Sequence, residues 1–104
     1  MLVNKYEADQ IVSFKLVNGD EIVAKLIEEN NDTYTIEKPC TVMPSQQGLG
    51  LIQSLFTSEL NKNVTLEKKH VMLHQATMQK IVDHYIKTTT GIETAGASSE
   101  ILQA

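Results

Sequence analysis

The stretch that decides the fold is IVSFKLVNGDEIVAKLIE, residues 11–28. Its first half alternates apolar and polar side chains, which places Val12, Phe14 and Leu16 on one face of a strand. Asn18-Gly19 follows, the pair best suited to the positive φ angles of a tight hairpin turn. The second half alternates in the same way, and its inward set is Ile22, Ala24 and Leu26. The stretch predicts a β-hairpin with one apolar face.

More strands follow the hairpin. Residues 33–37 alternate so that Tyr34 and Ile36 face inward. Pro39 predicts a bulge or an edge, because proline cannot donate to a ladder, and the strand resumes through Cys40. The pattern then predicts a loop at 44–48, a strand at 49–57 buried on one side and covered on the other, and short strands at 64–66 and 71–74.

From Thr77 onward the hydrophobic period changes from two to that of a helix. Five apolar side chains fall on one stripe: Met78, Ile81, Val82, Tyr85 and Ile86. Thr77 is the expected N-cap and Gly91 the expected stop, which predicts a helix over about 77–89 docked on the sheet. The predicted organisation is one domain, 1–90, with strands over about 11–75, followed by a flexible tail, 91–104.

Charge and composition limit the functions to consider. The net charge is −4, from 13 acidic and 9 basic residues, and all the basic residues are lysine. An acidic chain without arginine is a poor general binder of polyanions, so any nucleic-acid contact needs a local cluster of lysines. We expect no membrane contact, because no apolar run approaches a membrane span and residues 1–10 lack a signal-peptide core. The expected location is cytoplasmic, or the host cytoplasm if the protein is viral.

The hairpin and the strand after it resemble the first motif of Sm and LSm proteins. Gly19 stands at the turn glycine of that motif, Ala24 at the small residue of its bend, and Leu26 at its leucine. Residues 66–71 are similar to the second motif. Lysine and asparagine content and the helix at the C-terminal end make the chain most similar to Sm-like proteins of bacteriophage and marine viral type.

The resemblance implies a mainly β fold: a strongly bent five-stranded antiparallel open barrel of the Sm-like (SH3-type) kind, with a C-terminal α-helix. It also implies a homo-oligomeric ring formed by pairing of edge strands. An open barrel has two unpaired edges, and head-to-tail pairing satisfies both when the rotation closes.

Five residues are the candidate nucleic-acid-binding site. Lys68, Lys69 and His70 form the only dense basic cluster and lie in the turn that matches the second motif. Thr35 stands at the position of the base-binding asparagine of the first motif, and Thr33 at that of its stacking residue. A ring would repeat these groups around a pore and turn weak contacts into avid ones. An ordinary solvated turn is the alternative for the lysines, and β-propensity on an exposed face is the alternative for the threonines.

No pattern indicates catalysis, a metal or a cofactor. His70 and His74 would lie about 13 Å apart along a strand, too far for one metal ion, and no pair of carboxylates has the spacing of a general acid and base. Cys40 is expected to be a buried apolar residue. The leading hypothesis is a non-catalytic ring that binds single-stranded nucleic acid, RNA more readily than DNA, as a chaperone or processing accessory. The alternative is a protein-interaction or assembly module of viral origin without nucleic-acid binding.

Overall fold

The computed structural model describes residues 6–95, with side chains through residue 90. The first five residues and residues 96–104 lie outside this range, so most of the predicted tail is not described. The elements in chain order are β1 (Ile11–Leu16), β2 (Glu21–Glu29), β3 (Thr33–Ser45), β4 (Gly48–Gln53), β5 (Asn63–Glu67), a 3-10 turn (Lys68–His70), β6 (Val71–Ala76) and α1 (Gln79–Ala95).

The strands form one antiparallel sheet, in which five lie in the order β4-β3-β2-β1-β6. β3 is long enough to pair with β2 along one side and with two strands along the other. Its first half pairs with β5 and its second half with β4. Within residues 6–95 no ladder joins β5 to β6, so the sheet is not closed. The mainly β class, the antiparallel sheet and the C-terminal helix are confirmed.

The connection between β5 and β6 shows that the sheet is bent. The 3-10 turn starts beside the beginning of β3, where the Lys68 amide donates to the Asp32 carbonyl at 2.9 Å. It ends beside the end of β1, where the Val17 amide donates to the His70 carbonyl at 2.9 Å. These two places adjoin opposite ends of β2, which would be about 30 Å apart on a straight strand of this length. Three residues span at most about 10 Å, so the sheet must curl to bring them together.

The predicted hairpin and its inner face are confirmed. Gly19 has a φ of +99° in the β1–β2 turn, a conformation that glycine adopts without steric cost. The main core contains the buried side chains Val12, Phe14, Ile22, Ala24, Leu26, Tyr34 and Ile36. Leu16 is half-buried and packs against the edge of this cluster.

The opposite face of the sheet is covered in part by α1. Val23 and Cys40 are paired across β2 and β3 and are buried with Tyr85 of the helix. The Tyr85 hydroxyl donates to the Lys38 carbonyl at 2.7 Å, which fixes the helix to the sheet beside Pro39. Lys38 has a φ of +55°, and the β2–β3 register shifts by one residue there. The bulge predicted at Pro39 is therefore confirmed.

Several predicted boundaries were wrong. The strand expected at 49–57 ends at Gln53, and Leu49, Leu55 and Phe56 are exposed instead of covered. A run with apolar side chains on both faces does not reveal which of those side chains are buried. The loop expected at 44–48 is a two-residue turn between Ser45 and Gly48, because β3 continues through Pro44 as one side of the β3–β4 hairpin.

The helix also differs from its prediction. It begins at Gln79 and runs to Ala95, so it continues past Gly91. A glycine in a helix interior lowers helix stability by only about 1 kcal/mol relative to alanine, so Gly91 need not end the helix. The Thr77 hydroxyl does not cap the helix but hydrogen-bonds the Ser13 hydroxyl at 2.7 Å. Met78 and Ile86 are exposed. The side of α1 that faces the sheet carries Ile81, Tyr85 and Thr89, at spacings of four.

Candidate functional site

The predicted basic cluster lies at one end of the bent sheet, in the 3-10 turn between β5 and β6. Its backbone is held at both ends by the hydrogen bonds to Asp32 and Val17. None of its three side chains is buried: Lys68 is half-buried, whereas Lys69 and His70 are exposed. The cluster is therefore a fixed turn in which two of the three side chains are exposed.

Lys68 is engaged by its own chain. Its Nζ lies 2.7 Å from a carboxylate oxygen of Glu29 at the end of β2. The same ammonium lies 5.0 Å from the centre of the Tyr34 ring, within the distance of a cation–π contact. An ion pair with this much solvent contact adds only about 0.2–1 kcal/mol, so an anionic ligand could displace Glu29 at modest cost. In the absence of such a ligand, the Glu29 carboxylate neutralises the positive charge of Lys68.

Lys69 is the cation of the turn that stays available. Among residues 6–90 its ammonium has no ion-pair partner, and the neighbouring His70 ring is exposed. The structure thus divides the predicted cluster. Lys69 and His70 are presented outward, and Lys68 is turned toward Tyr34 at the mouth of the core.

The two threonines lie on the opposite face of β3 from Tyr34, because successive side chains on a strand alternate between faces. Both are half-buried. Thr33 is paired with Glu67, directly before the turn, and its hydroxyl accepts a hydrogen bond from the Asn30 amide at 3.3 Å. Thr35 is paired with Thr65, further along β5. The structure brings Thr33 close to the turn, but it does not bring Thr35 and the Lys68 ammonium onto one surface.

An aromatic cluster that the sequence did not predict surrounds Tyr34. The Tyr34 ring lies 5.1 Å from Phe14 and 5.9 Å from His74 of β6, centre to centre. The Tyr6 hydroxyl is 2.6 Å from Nδ1 of His74, a contact between residues 68 positions apart in sequence. Hydrophobic alternation in residues 71–74 placed His74 on a strand, but nothing in the sequence connected it with Tyr6.

Both tyrosine hydroxyls in this cluster are weaker acids than usual. Burial raises the pKa of Tyr6, and the Tyr34 hydroxyl and the Glu29 carboxylate raise it further. Burial also raises the pKa of Tyr34, again with a contribution from Glu29, which the nearby Lys68 opposes. Both side chains therefore stay protonated at neutral pH and act as hydrogen-bonding groups instead of as bases.

The exposed surface contains two further features. Among the described residues nine large apolar side chains are exposed: Val17, Met43, Leu49, Leu55, Phe56, Met72, Leu73, Met78 and Ile86. A groove of about 460 Å³ lies between the start of α1 and the part of the sheet that the helix leaves uncovered. Its apolar lining includes Val42, Leu49, Leu51 and Ile81.

Within the described part of the chain, no three histidine, cysteine or acidic side chains meet in a group that could hold a metal ion. The same region has no helix with both the length and the apolar character that a membrane span needs. No protein-family model matches the chain, and no curated protein is significantly similar to it in sequence.

Proposed function

We propose that the protein is an Sm-like (SH3-type) open barrel that assembles head to tail into a homo-oligomeric ring, and that the ring binds single-stranded nucleic acid without catalysing a reaction. The observation that carries this proposal is the unclosed sheet. Among the strands described, β6 has β1 as its single partner, while β5 and β4 each pair only with β3. Opposite borders of one bent sheet therefore have unpaired backbone groups, which a second copy can satisfy.

The proposed ring supplies several basic turns for one nucleic-acid strand, whereas the single chain has one. One chain of net charge −4 has a single turn with two neighbouring lysines, and one such turn binds a phosphate chain weakly. Closed assembly places one copy of the turn per subunit around an axis, so that several phosphates of one strand are contacted together. We propose Lys69 and His70 as the first contacts, with Lys68 joining when phosphate replaces Glu29, and Thr33 as a neighbouring hydroxyl. The choice of RNA over DNA rests on the family resemblance alone.

The test is binding of fluorescent poly-U, poly-A and oligo-dT by a variant with Lys68→Glu and Lys69→Glu. We expect at least a tenfold loss of affinity and a shallower dependence of log K on log salt, because fewer counterions are released on binding. The matched control carries Lys80→Glu and Lys87→Glu, two exposed lysines of α1, and changes the net charge by the same amount. Equal loss in both variants would show that only overall charge matters. Unchanged binding by the first variant would exclude the turn.

A second candidate function is supported by the nine exposed apolar side chains, which are more typical of a protein-binding surface than of a nucleic-acid-binding one. In this case the chain is a protein-interaction module and its turn is merely solvated. Wild-type protein that assembles but binds none of the three oligonucleotides at low salt would favour this function.

A further inference from the structure

The segment between β4 and β5, residues 54–62, is organised around the side chain of Gln53, which is only 4% exposed. The amide nitrogen Nε2 of Gln53 donates to the carbonyls of Leu55 and Ser58 at 2.7 and 3.0 Å, which uses both hydrogens of the amide group. The segment is also fixed at its start, because the Ser54 amide donates to the Pro39 carbonyl at 2.9 Å. Hydrogen bonds therefore hold this segment, although it lies outside the helices and strands.

The oxygen of the same amide group lacks a donor among the described residues. Gln53 Oε1 is buried, and no protein donor of residues 6–90 lies within hydrogen-bond distance of it. Exchanging the nitrogen and oxygen of the amide would not supply a donor, because Oε1 would then face the Leu55 and Ser58 carbonyl oxygens, which only accept. A buried carbonyl oxygen without a donor destabilises the folded state, so this atom requires a donor from outside the chain.

A small cavity adjoins Gln53. Its lining includes Leu55 and Ser58 and the apolar residues Pro39, Leu60 and Val64. The volume of the cavity is about 10 Å³, close to the roughly 10–15 Å³ that a single water molecule needs. The Leu55 and Ser58 carbonyls each keep a second lone pair after accepting from Gln53, so the lining contains further acceptors. The cavity therefore has the size and the polar groups of a site for one water.

We propose that Gln53 and this cavity form a binding site for one structural water molecule. The water donates one hydrogen to Gln53 Oε1 and the other to a carbonyl oxygen of the cavity lining. An apolar occupant would leave Oε1 without a donor, whereas water supplies the donor and matches the volume. The bound water completes the hydrogen bonding of the segment that carries Leu55 and Phe56, which are 44% and 59% exposed. The site lies within one chain and does not depend on the proposed ring.

The first test is a crystal structure of the wild-type protein at a resolution that shows ordered water. We expect one water oxygen about 2.7–2.8 Å from Gln53 Oε1, the usual distance for a hydrogen bond between an O–H group and an oxygen. This water should be as well ordered as the Gln53 side chain itself. An Oε1 atom with no water beside it, or one that accepts from a protein donor, would overturn the site.

The second test counts long-lived internal waters in solution by oxygen-17 relaxation dispersion. We expect Gln53→Met to hold one water per chain fewer than the wild type, because methionine has a similar length but no amide oxygen. Val64→Ile keeps Gln53 and fills the cavity with a methylene group, so it should show the same loss even if Q53M does not fold.

The matched control for V64I is Val17→Ile, which makes the same change in the β1–β2 turn at a side chain that is 56% exposed. V17I should keep the wild-type number of internal waters, since its added methylene group enters solvent. A folded V64I protein with the wild-type number, or an equal loss in V17I, would overturn the site.

Discussion

At the scale of single residues, burial determines the chemistry of the one cysteine. Cys40 is fully buried between Val23 and Tyr85, and this burial raises the pKa of its thiol to about 11. Only the thiolate is nucleophilic, so the side chain is inert at neutral pH. The sequence predicted this role from the position of Cys40 in an apolar strand, because a free cysteine there is most often a small buried side chain.

The raised pKa of Cys40 predicts a loss of stability in alkaline solution. The unfolded chain releases the thiol proton near pH 9, whereas the folded chain holds it to about pH 11. The free energy of unfolding should therefore fall between pH 9 and 11, by about 2–3 kcal/mol for a shift of this size. Urea unfolding of the wild type and of Cys40→Ala should be compared, since the tyrosines titrate in both proteins. Parallel pH curves for the two proteins would show that Cys40 does not contribute.

At the scale of elements, the parts predicted correctly are those set by local alternation. The hairpin and the inward positions Tyr34 and Ile36 follow from a period of two, since one face of each strand is buried. The end of α1 could not be predicted, because Gly91 is compatible with both a stop and a helix interior. The contact between Tyr6 and His74 was also unpredictable, because it depends on how the whole sheet bends.

The backbone conformation at the bulge in β3 limits which residue types can occupy position 38. Lys38 has a φ of +55°, which asparagine tolerates and a β-branched residue does not. Lys38→Val should therefore lower the free energy of unfolding by about 1–2 kcal/mol more than Lys38→Asn. Both substitutions remove the lysine side chain. The difference in their free energies of unfolding, measured in urea, therefore reports the cost of the positive φ at this position. Equal stability of the two variants would mean that the bulge relaxes out of this conformation.

At the scale of the whole molecule, the proposed assembly is what would relate the basic turn to the unpaired borders of the sheet. The fold assembled part of the site predicted from sequence: Thr33 is paired with Glu67, directly before the turn, while Lys68 is paired with Glu29. Sequence could not show this pairing, because the two residues meet only across the bent sheet. The proposed assembly rests on β5 and β6, each of which has one strand partner among the described residues.

Mass measurement of the wild-type protein in solution tests this account most directly. Gel filtration with light scattering at micromolar concentration should give a single species whose mass is an integral multiple of 11.6 kDa. Closed rotational assembly also requires that this multiple stays fixed as the concentration rises, since no free border remains for further growth. A species of 11.6 kDa at every concentration, or a mass that grows without limit, would contradict the account.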